Sequence, residues 1–233
     1  MEEQKTSHPV VDALFKVGAH FGQLRSRRHP SGAKYIYGTK DKVEIFDLEK
    51  SVELLNAAKQ YVANIASTGG QVLFVGGKNE AKQAIAKYAQ SIDMPYVAGR
   101  WIGGTFTNFP EIKKRVARLE TLRTEREKGD FAKYTKKERL LLDREIANLE
   151  RFFSGIISMR DLPKVMFVVD VRREHIAVTE AHALNIPVIS LSSSDCDFGM
   201  IEVPIPGNDA SVATIEYVLG ELASAYKSGK KTV

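Results

Sequence analysis

The chain has 233 residues, of which 43% are hydrophobic and 27% are charged. This length and apolar fraction predict one large folded domain, or one domain with an insertion. A single cysteine, Cys196, excludes a disulfide framework and a thiolate metal cluster, and it favours a reducing compartment such as the cytoplasm. The opening MEEQKTSHPV has no basic or apolar signal segment, and the apolar runs are too short for a membrane span.

The positive charge is concentrated in two segments. The net charge is +5 and the pI is about 9.1. Residues 23–42 hold six basic residues and one acid, and residues 111–151 hold thirteen basic and nine acidic residues. The rest of the chain is therefore net negative. Either segment alone is ordinary solvated surface, but together they are typical of a protein that binds a polyanion.

The N-terminal third of the sequence predicts a small region that contains both helices and strands. An amphipathic pattern over residues 10–17 predicts a short helix, and a glycine- and arginine-rich loop without a regular period follows over 18–32. Residues 35–37 and 43–46 read as two strands across a turn. Asp47 can cap a helix that runs to about Ala66.

Apolar strands and helices then alternate along the chain. Strands are predicted at residues 71–75, 95–98, 164–169, 187–191 and 202–205, and helices at 80–91, 174–184 and 209–226, with a frayed SGKKTV end. Continuous apolar strands between helices predict a parallel sheet covered on both faces, a doubly wound α/β fold. Such folds bind ligands in the loops after their strands, here residues 76–79, 99–109, 170–173 and 192–198.

The alternation breaks between residues 108 and 154. Two narrow apolar stripes, over 112–122 and 142–153, are separated by a short connection, and a Thr135-x-x-Glu138 capping box starts the second helix. The other faces are charged. We therefore predict an antiparallel helical hairpin over residues 108–154, inserted into an α/β domain of residues 1–107 and 155–233.

Two glycine turns at the ends of predicted strands are candidates for a nucleotide-binding loop. Gly76-Gly77-Lys78 follows a strand, but it lacks the Walker spacing, and the dinucleotide pattern of glycines is absent. Gly103-Gly104 follows another strand. It can serve close approach to a phosphate, or it can simply let the chain leave the sheet.

No catalytic or metal constellation can be read from the sequence. The spacing of the histidines does not match a metal site or a catalytic triad; these are His20, His29, His175 and His182. Asp195 and Asp197 are an acidic pair that could bind a divalent cation, but no other residue pattern supports such a site. We expect no catalytic residue, no metal and no cofactor.

Basic clusters instead favour RNA. Arginines in a flexible loop offer bidentate donors to phosphates, and nearby tyrosines can pack or stack. Further basic groups occur at the start of the predicted hairpin and after a strand. The candidate RNA contacts are Arg25, Arg27, Arg28, Lys34, Lys113, Lys114, Arg115, Arg172 and Arg173.

Several motifs resemble one family in order and spacing over nearly the whole chain. They are the runs GAHFG (18–22), LFVG (73–76), RWIGGTFTNF (100–109), FVVD (167–170), IPV (186–188) and PIPGND (204–209). They resemble the bacterial small-subunit ribosomal protein S2 family. The decapeptide that begins at Arg100 is the most specific of them.

The resemblance implies a flavodoxin-like α/β domain with a coiled-coil protrusion and no enzymatic activity. It implies a structural constituent of the small subunit that binds rRNA near the head–body junction and contacts neighbouring ribosomal proteins. In many bacteria the family also helps to dock the large S1 protein. It further implies a ribosome-bound, cytoplasmic protein of bacterial or plastid type. Arg100, Trp101, Gly103 and Gly104 are expected to anchor the transition from sheet to hairpin.

Some positions depart from the family pattern. Gln23 replaces a usual His, Arg28-His29-Pro30 replaces Trp-Asn-Pro, and Asp195 to Phe198 replaces Asn-Cys-Asp-Pro. These changes weaken a stacking or metal role for the first loop and keep a phosphate role. Two alternatives stay open: a nucleotide- or sugar-phosphate-binding enzyme on the same fold, and a scaffold whose hairpin docks a partner helix.

Overall fold

The computed structural model describes residues 9–231, so residues 1–8 of the opening MEEQKTSHPV, in which no signal was expected, lie outside the described residues. Its strands are β1 (Phe21–Leu24), β2 (Ile36–Lys40), β3 (Val43–Phe46), β4 (Val72–Val75), β5 (Tyr96–Val97), β6 (Val165–Val169), β7 (Val188–Ser192) and β8 (Val203–Pro206). Its helices are α1 (Pro9–Lys16), α2 (Leu48–Ser67), α3 (Asn79–Gln90), α4 (Phe109–Glu127), α5 (Lys136–Phe153), α6 (His175–Ala183) and α7 (Val212–Lys231).

Five strands form a parallel sheet in the order β5-β4-β6-β7-β8. Counted within this sheet, the order is 2-1-3-4-5, which is the flavodoxin-like arrangement. Val72 faces Val165 across β4 and β6, and Met166 faces Val188 across β6 and β7. The predicted doubly wound α/β class is therefore confirmed. The strand order reverses between β4 and β6, so their carboxyl ends flank the crevice in which such folds usually bind ligands.

Strand alternation divides the core into two layers. Val72 and Phe74 point to the layer that packs against α2, α3 and α7. Leu73 and Val75 point to the opposite layer, where α6 and parts of α4 and α5 cover the sheet. All four side chains are fully buried. Helices on both faces explain why these strands are continuous apolar runs.

The N-terminal region forms a separate antiparallel sheet in the order β1-β3-β2. The loop predicted to be irregular over residues 18–32 contains β1 and two short 3-10 turns, at Arg25–Arg27 and Pro30–Tyr35. The prediction of a wholly irregular loop was wrong. The four residues of β1 carry no alternating apolar pattern, and pairing with β3 at Phe21–Ile45 defines the strand.

The last helix is longer than predicted. The segment expected to fray at its end is helical up to Lys231, and residues 232–233 lie outside the described residues. Tyr226, near the predicted end, is buried and donates a hydrogen bond to the carbonyl of Gly70. Tertiary contact therefore extends this helix. No helix within residues 9–231 is both long and apolar enough to cross a membrane.

Helices α4 and α5 pack against each other where the alternation breaks. Thr135 and Glu138 form the predicted capping box, and Leu119, Leu122 and Ile146 are buried. Ion pairs join Arg118 to Glu145 and Arg123 to Glu150. In a straight antiparallel coiled coil, a residue later in the first helix contacts a residue earlier in the second helix, so the sequence separation of the contacts decreases. Here both ion pairs have the same sequence separation of 27 residues. The coiled-coil hairpin therefore stays a prediction.

Candidate nucleic-acid interface

The basic N-terminal loop lies on the loop that follows β7. The amide of Gln23 donates to the Ser194 hydroxyl at 2.9 Å, and the amide of His29 donates to the Ser194 carbonyl at 2.8 Å. The amide of Phe198 donates to the Ser31 hydroxyl, also at 2.9 Å. This loop is therefore held at the carboxyl end of the parallel sheet, although its residues have no regular apolar period.

The three loop arginines differ in how their charge is balanced. Arg25 and Arg27 are exposed, and neither forms an ion pair with any residue between 9 and 231. Arg28 lies 3.2 Å from a carboxylate oxygen of Glu44, which is fully buried and accepts no hydrogen bond within that range. Arg28 thus supplies the positive charge that an interior carboxylate requires, and Arg25 and Arg27 are available to an external anion.

Lys34 is exposed at the end of the same loop. Its ammonium lies 4.9 Å from the ring centroid of Tyr35, which is itself buried against Phe198. Tyr35 is therefore a packing residue, whereas Tyr37 is 82% exposed. Both tyrosines were predicted to pack or stack, but one is buried and the other is exposed to solvent.

Three predicted contacts lie near the start of α4. Lys114 pairs with Glu111 at 2.6 Å, and Lys113 lies 3.7 Å from Asp161. Arg115 is exposed and lines a cavity of about 750 Å³ between α4 and the end of α5. Within the described chain it forms no ion pair.

Arg172 and Arg173 follow β6, as predicted. The Arg172 guanidinium donates to Asp195 at 2.8 Å, which ties it to the loop that also holds the N-terminal arginines. Arg173 is exposed, and its side chain forms no ion pair among residues 9–231, although its charge acts on Glu174. Arg25, Arg27, Arg172 and Arg173 therefore share the carboxyl end of the sheet.

The first glycine turn is filled by the protein itself. The Gly77 amide donates to the carboxylate of Glu174 at 3.0 Å. A Cβ on Gly77 would lie 2.6 Å from that carboxylate and 2.8 Å from the Gly99 carbonyl. Burial raises the pKa of Glu174, although the Gly77 amide and Arg173 oppose the rise. Since an internal carboxylate takes the place that a phosphate would need, the turn is not a nucleotide site.

Lys78, the next residue, lies between two carboxylates. Its ammonium is 2.7 Å from Asp170 and 3.0 Å from Asp209. Burial favours the neutral amine, but the charges of Asp209 and Asp170 outweigh it and raise the pKa of Lys78. Burial raises the pKa of Asp209 to about 6, even though the charge of Lys78 opposes the rise. These charges stabilise one another inside the fold.

Asp170, Asp209 and Cys196 are close enough to be considered as a metal site, because their ligand atoms lie within 4.8 Å of one another. Two observations make them a poor one. The ammonium of Lys78 already lies between the two carboxylates, so a cation would have to displace it. Burial also raises the pKa of Cys196 to about 12, which keeps the thiol protonated, whereas a metal binds the thiolate.

The second glycine turn surrounds another buried carboxylate. Glu180 accepts hydrogen bonds from the amides of Gly104 at 2.7 Å and Phe106 at 2.9 Å. It accepts further bonds from the amide of Thr107 and the indole of Trp101, both at 3.3 Å. This arrangement is an anion-binding nest of backbone amides, with Glu180 of α6 as its internal anion.

The four expected anchor residues have different environments. Trp101 is buried, packs edge-to-face on Phe106 and, with Gly104, contacts Glu180. Gly103 is exposed at the same turn. Arg100 is exposed as well, and its side chain makes no hydrogen bond or ion pair to a residue within 9–231. The anchoring role of all four residues stays a prediction.

Sequence reasoning missed the buried acids that organise these turns. Glu174 and Glu180 lie on an otherwise ordinary helical segment, where nothing in the local pattern marks them as buried. Glu44 carried a weak signal. It alternates with Val43 and Ile45 in β3 and so lies on the same face as Phe46, which is buried.

The comparisons with known proteins agree with the motifs. The family model described as Ribosomal protein S2 matches residues 14–229. The chain belongs to the ribosomal protein S2 family. Members of this family are structural ribosomal proteins and not enzymes, so the enzyme alternative is excluded.

Three relatives carry the name small ribosomal subunit protein uS2. The protein from Chloroherpeton thalassium is 43% identical over 92% of this chain and 86% of its own length. The protein from Nitratiruptor sp. is 40% identical over 94% of this chain and 82% of its own. The protein from Corynebacterium kroppenstedtii is 39% identical over 94% of this chain and 77% of its own.

Proposed function

We propose that this protein is a structural constituent of the small ribosomal subunit, where it binds small-subunit rRNA and neighbouring ribosomal proteins and so supports subunit assembly and translation. The uS2 relatives cover nearly all of the chain, which supports the proposal. Their bacterial origin favours a ribosome-bound protein of the bacterial cytoplasm over a plastid form. The phosphate contacts are Arg25, Arg27, Arg28, Lys34, Lys113, Lys114, Arg115, Arg172 and Arg173.

These nine residues fall into two groups. Arg28, Lys113, Lys114 and Arg172 each form an ion pair in the described structure, whereas Arg25, Arg27, Lys34, Arg115 and Arg173 form none there. A cation without an internal partner loses less when it binds a phosphate. The observation that carries the proposal is therefore the pair Arg25 and Arg27, exposed on a loop that is itself fixed to the sheet.

Residues 108–154 form, in this proposal, a coiled-coil helical insertion between the two parts of the α/β domain, 1–107 and 155–233. Its base, with Lys113 to Arg115, faces RNA. Toward the far end, charges of both signs alternate and Leu140 and Leu141 are exposed. That end is solvated or contacts protein.

In this proposal a neighbouring ribosomal protein binds the exposed aromatic surface beside the antiparallel sheet β1-β3-β2. The S1 protein is the candidate that the family implies. Phe15, Phe21 and Tyr37 are 60%, 46% and 82% exposed. Phe15 stacks on His20, with ring centroids 4.4 Å apart. Large exposed aromatic side chains are typical of protein–protein contacts. A Tyr37→Ala variant is expected to lose binding to purified S1 protein and to keep binding to rRNA.

The RNA proposal is tested by binding purified protein to small-subunit rRNA across a salt series. Replacing Arg25 and Arg27 with Gln should weaken binding at every salt concentration. It should also reduce the slope of log affinity against log salt by roughly 0.7 to 0.9 for each lost contact. A matched control replaces Lys227 and Lys230 of α7 with Gln, which removes the same charge. If both double variants behave alike, or if wild-type binding barely depends on salt, the arginine assignments are wrong.

A further inference from the structure

We propose that Arg100 and Arg151 form a phosphate-binding site beside the end of β5, a site distinct from the nine contacts above. The two residues line one cavity of about 240 Å³, where the chain leaves the sheet after β5 and returns to it after α5. The inference rests on the proposed function and deepens it, because it adds an RNA-facing site at the base of the inserted helices.

The chemistry of the cavity wall fits an anion. The cavity is lined by Arg100, Arg151 and Ser154, together with the backbone of Gly99 and Gly155. None of its lining residues is acidic. The larger cavity beside Arg115 differs, since Glu111 lines it as well. A wall with two guanidinium-bearing residues and no carboxylate selects negative charge.

Neither arginine is neutralised by the protein. Both are exposed, and neither forms an ion pair or a side-chain hydrogen bond with any residue in the range 9–231. The guanidinium of Arg151 lies 5.3 Å from the ring centroid of Phe152, which lines the same cavity. This cation–π contact holds the guanidinium at the cavity and leaves its N–H groups free.

The backbone around Arg100 is held on both sides. Trp101, the next residue, is fixed by its hydrogen bond to Glu180, and the carbonyl of Gly99 packs against Gly77. On the other wall, a Cβ on Gly155 would collide with the carbonyl of Tyr96, so the returning chain lies directly on β5. A rigid support for both walls lowers the entropy lost on binding.

The ligand class is a phosphate group, because two planar guanidinium groups match its oxygens. It can come from the RNA backbone or from a free phosphate. The backbone is the source we favour, since both arginines are exposed and a phosphodiester bound by them can continue along the surface.

The test uses the full chain and four variants: Arg100→Gln, Arg151→Gln, the double variant and Arg144→Gln. Arg144 is exposed on the same helix as Arg151 and does not line the cavity, so its variant is the matched control for charge. Affinity for small-subunit rRNA is measured across a salt series. We expect each cavity variant to reduce the salt slope by roughly 0.7 to 0.9. If both arginines hold one phosphate, the double variant should lose less than the sum of the single losses.

A second measurement separates the two phosphate sources. Inorganic phosphate is titrated into the wild type and the double variant, and the amide resonances of Gly99 and Gly155 are followed by NMR. Shifts in the wild type that are absent in the double variant support a phosphate site. If they occur without any change in RNA affinity, the site takes free phosphate rather than the RNA backbone.

The proposal is overturned if the cavity variants match Arg144→Gln in RNA affinity and salt slope and phosphate causes no wild-type shifts. If the Arg25 and Arg27 variants still weaken RNA binding in that case, the proposed function stands without this site. If wild-type protein shows no salt-dependent RNA binding at all, the proposed function fails, and the NMR titration judges the cavity separately. Melting temperatures of all variants confirm that they are folded.

Discussion

The carboxyl end of the sheet has two charged regions that differ in how their charges are balanced. In the crevice between β4 and β6, Lys78 lies between Asp170 and Asp209. Glu174 accepts a hydrogen bond from the amide of Gly77 in the same crevice. In the neighbouring N-terminal loop, Arg25 and Arg27 have no internal partner within the described chain. The fold thus retains the usual ligand crevice of its class but fills it with its own side chains. The adjacent surface is left positively charged, as a polyanion binder requires.

The largest expected effect comes from Lys78→Met, which leaves two buried carboxylates without a counter-charge. We expect the free energy of unfolding to fall by about 3–5 kcal/mol, the usual cost of breaking a buried pair. Urea denaturation measures it. Lys82→Met, at a partly exposed lysine on α3 that forms no ion pair within residues 9–231, is the control and should change stability by less than about 0.5 kcal/mol. Equal stability of the two variants would show that the crevice charges do not stabilise one another.

Asp209 should make stability depend on pH. Its folded pKa of about 6 lies above the ordinary 3.8, so the folded state holds the proton more tightly between these values. The contribution of this group is therefore fully present below about pH 4 and is lost as pH rises through 6. The full range corresponds to about 3 kcal/mol at most. Denaturation curves of the wild type and Asp209→Asn from pH 4 to 7 check this, and identical pH profiles would contradict it.

Glu180→Gln should weaken the nest at the second glycine turn. An amide side chain cannot accept from all the donors that the carboxylate serves, so at least one buried N–H loses its partner. We expect a loss of about 2 kcal/mol in unfolding free energy. Glu216→Gln, at a partly exposed acid of α7 that pairs only with the exposed Lys87 among residues 9–231, is the control. Hydrogen exchange of the Gly104 and Phe106 amides gives a local readout, and unchanged protection of both would argue against the nest.

Arg28→Gln should produce a smaller effect that separates the two regions. Arg28 balances the buried Glu44 but is itself about one-third exposed, so we expect a loss of about 1–2 kcal/mol. Arg25→Gln should leave stability within about 0.5 kcal/mol of wild type, because its side chain is exposed. Thermal unfolding compares them. Equal melting temperatures for the two variants would remove the structural role of Arg28.

Much of the fold could be predicted from local patterns. The apolar runs at β4, β6 and β7 and the capping box at Thr135 lie where the sequence placed them, because strand burial and helix capping depend on nearby residues. The β1 strand could not be predicted in this way. Its pairing with β3 is long-range, and its own residues have no alternation.

The candidate site was less predictable than the fold. The sequence identified basic residues, but it could not distinguish Arg25 from Arg28, since the partner of Arg28 is Glu44, a buried acid in β3. Nor could it show that Glu180 fills the turn at Gly104, because the two are brought together by packing of α6 on the loop. Both distinctions depend on contacts between segments far apart in the chain.

By itself, the sequence determined the α/β class, the family and the two basic segments, because periodicity, capping and motif order are local properties. Tertiary structure alone decided which glycine turns are filled and which arginines remain available. The physical reason is that a buried charge must have a partner, and the partner is chosen by the packing of the whole chain. The charge left over after that pairing is the charge that can bind RNA.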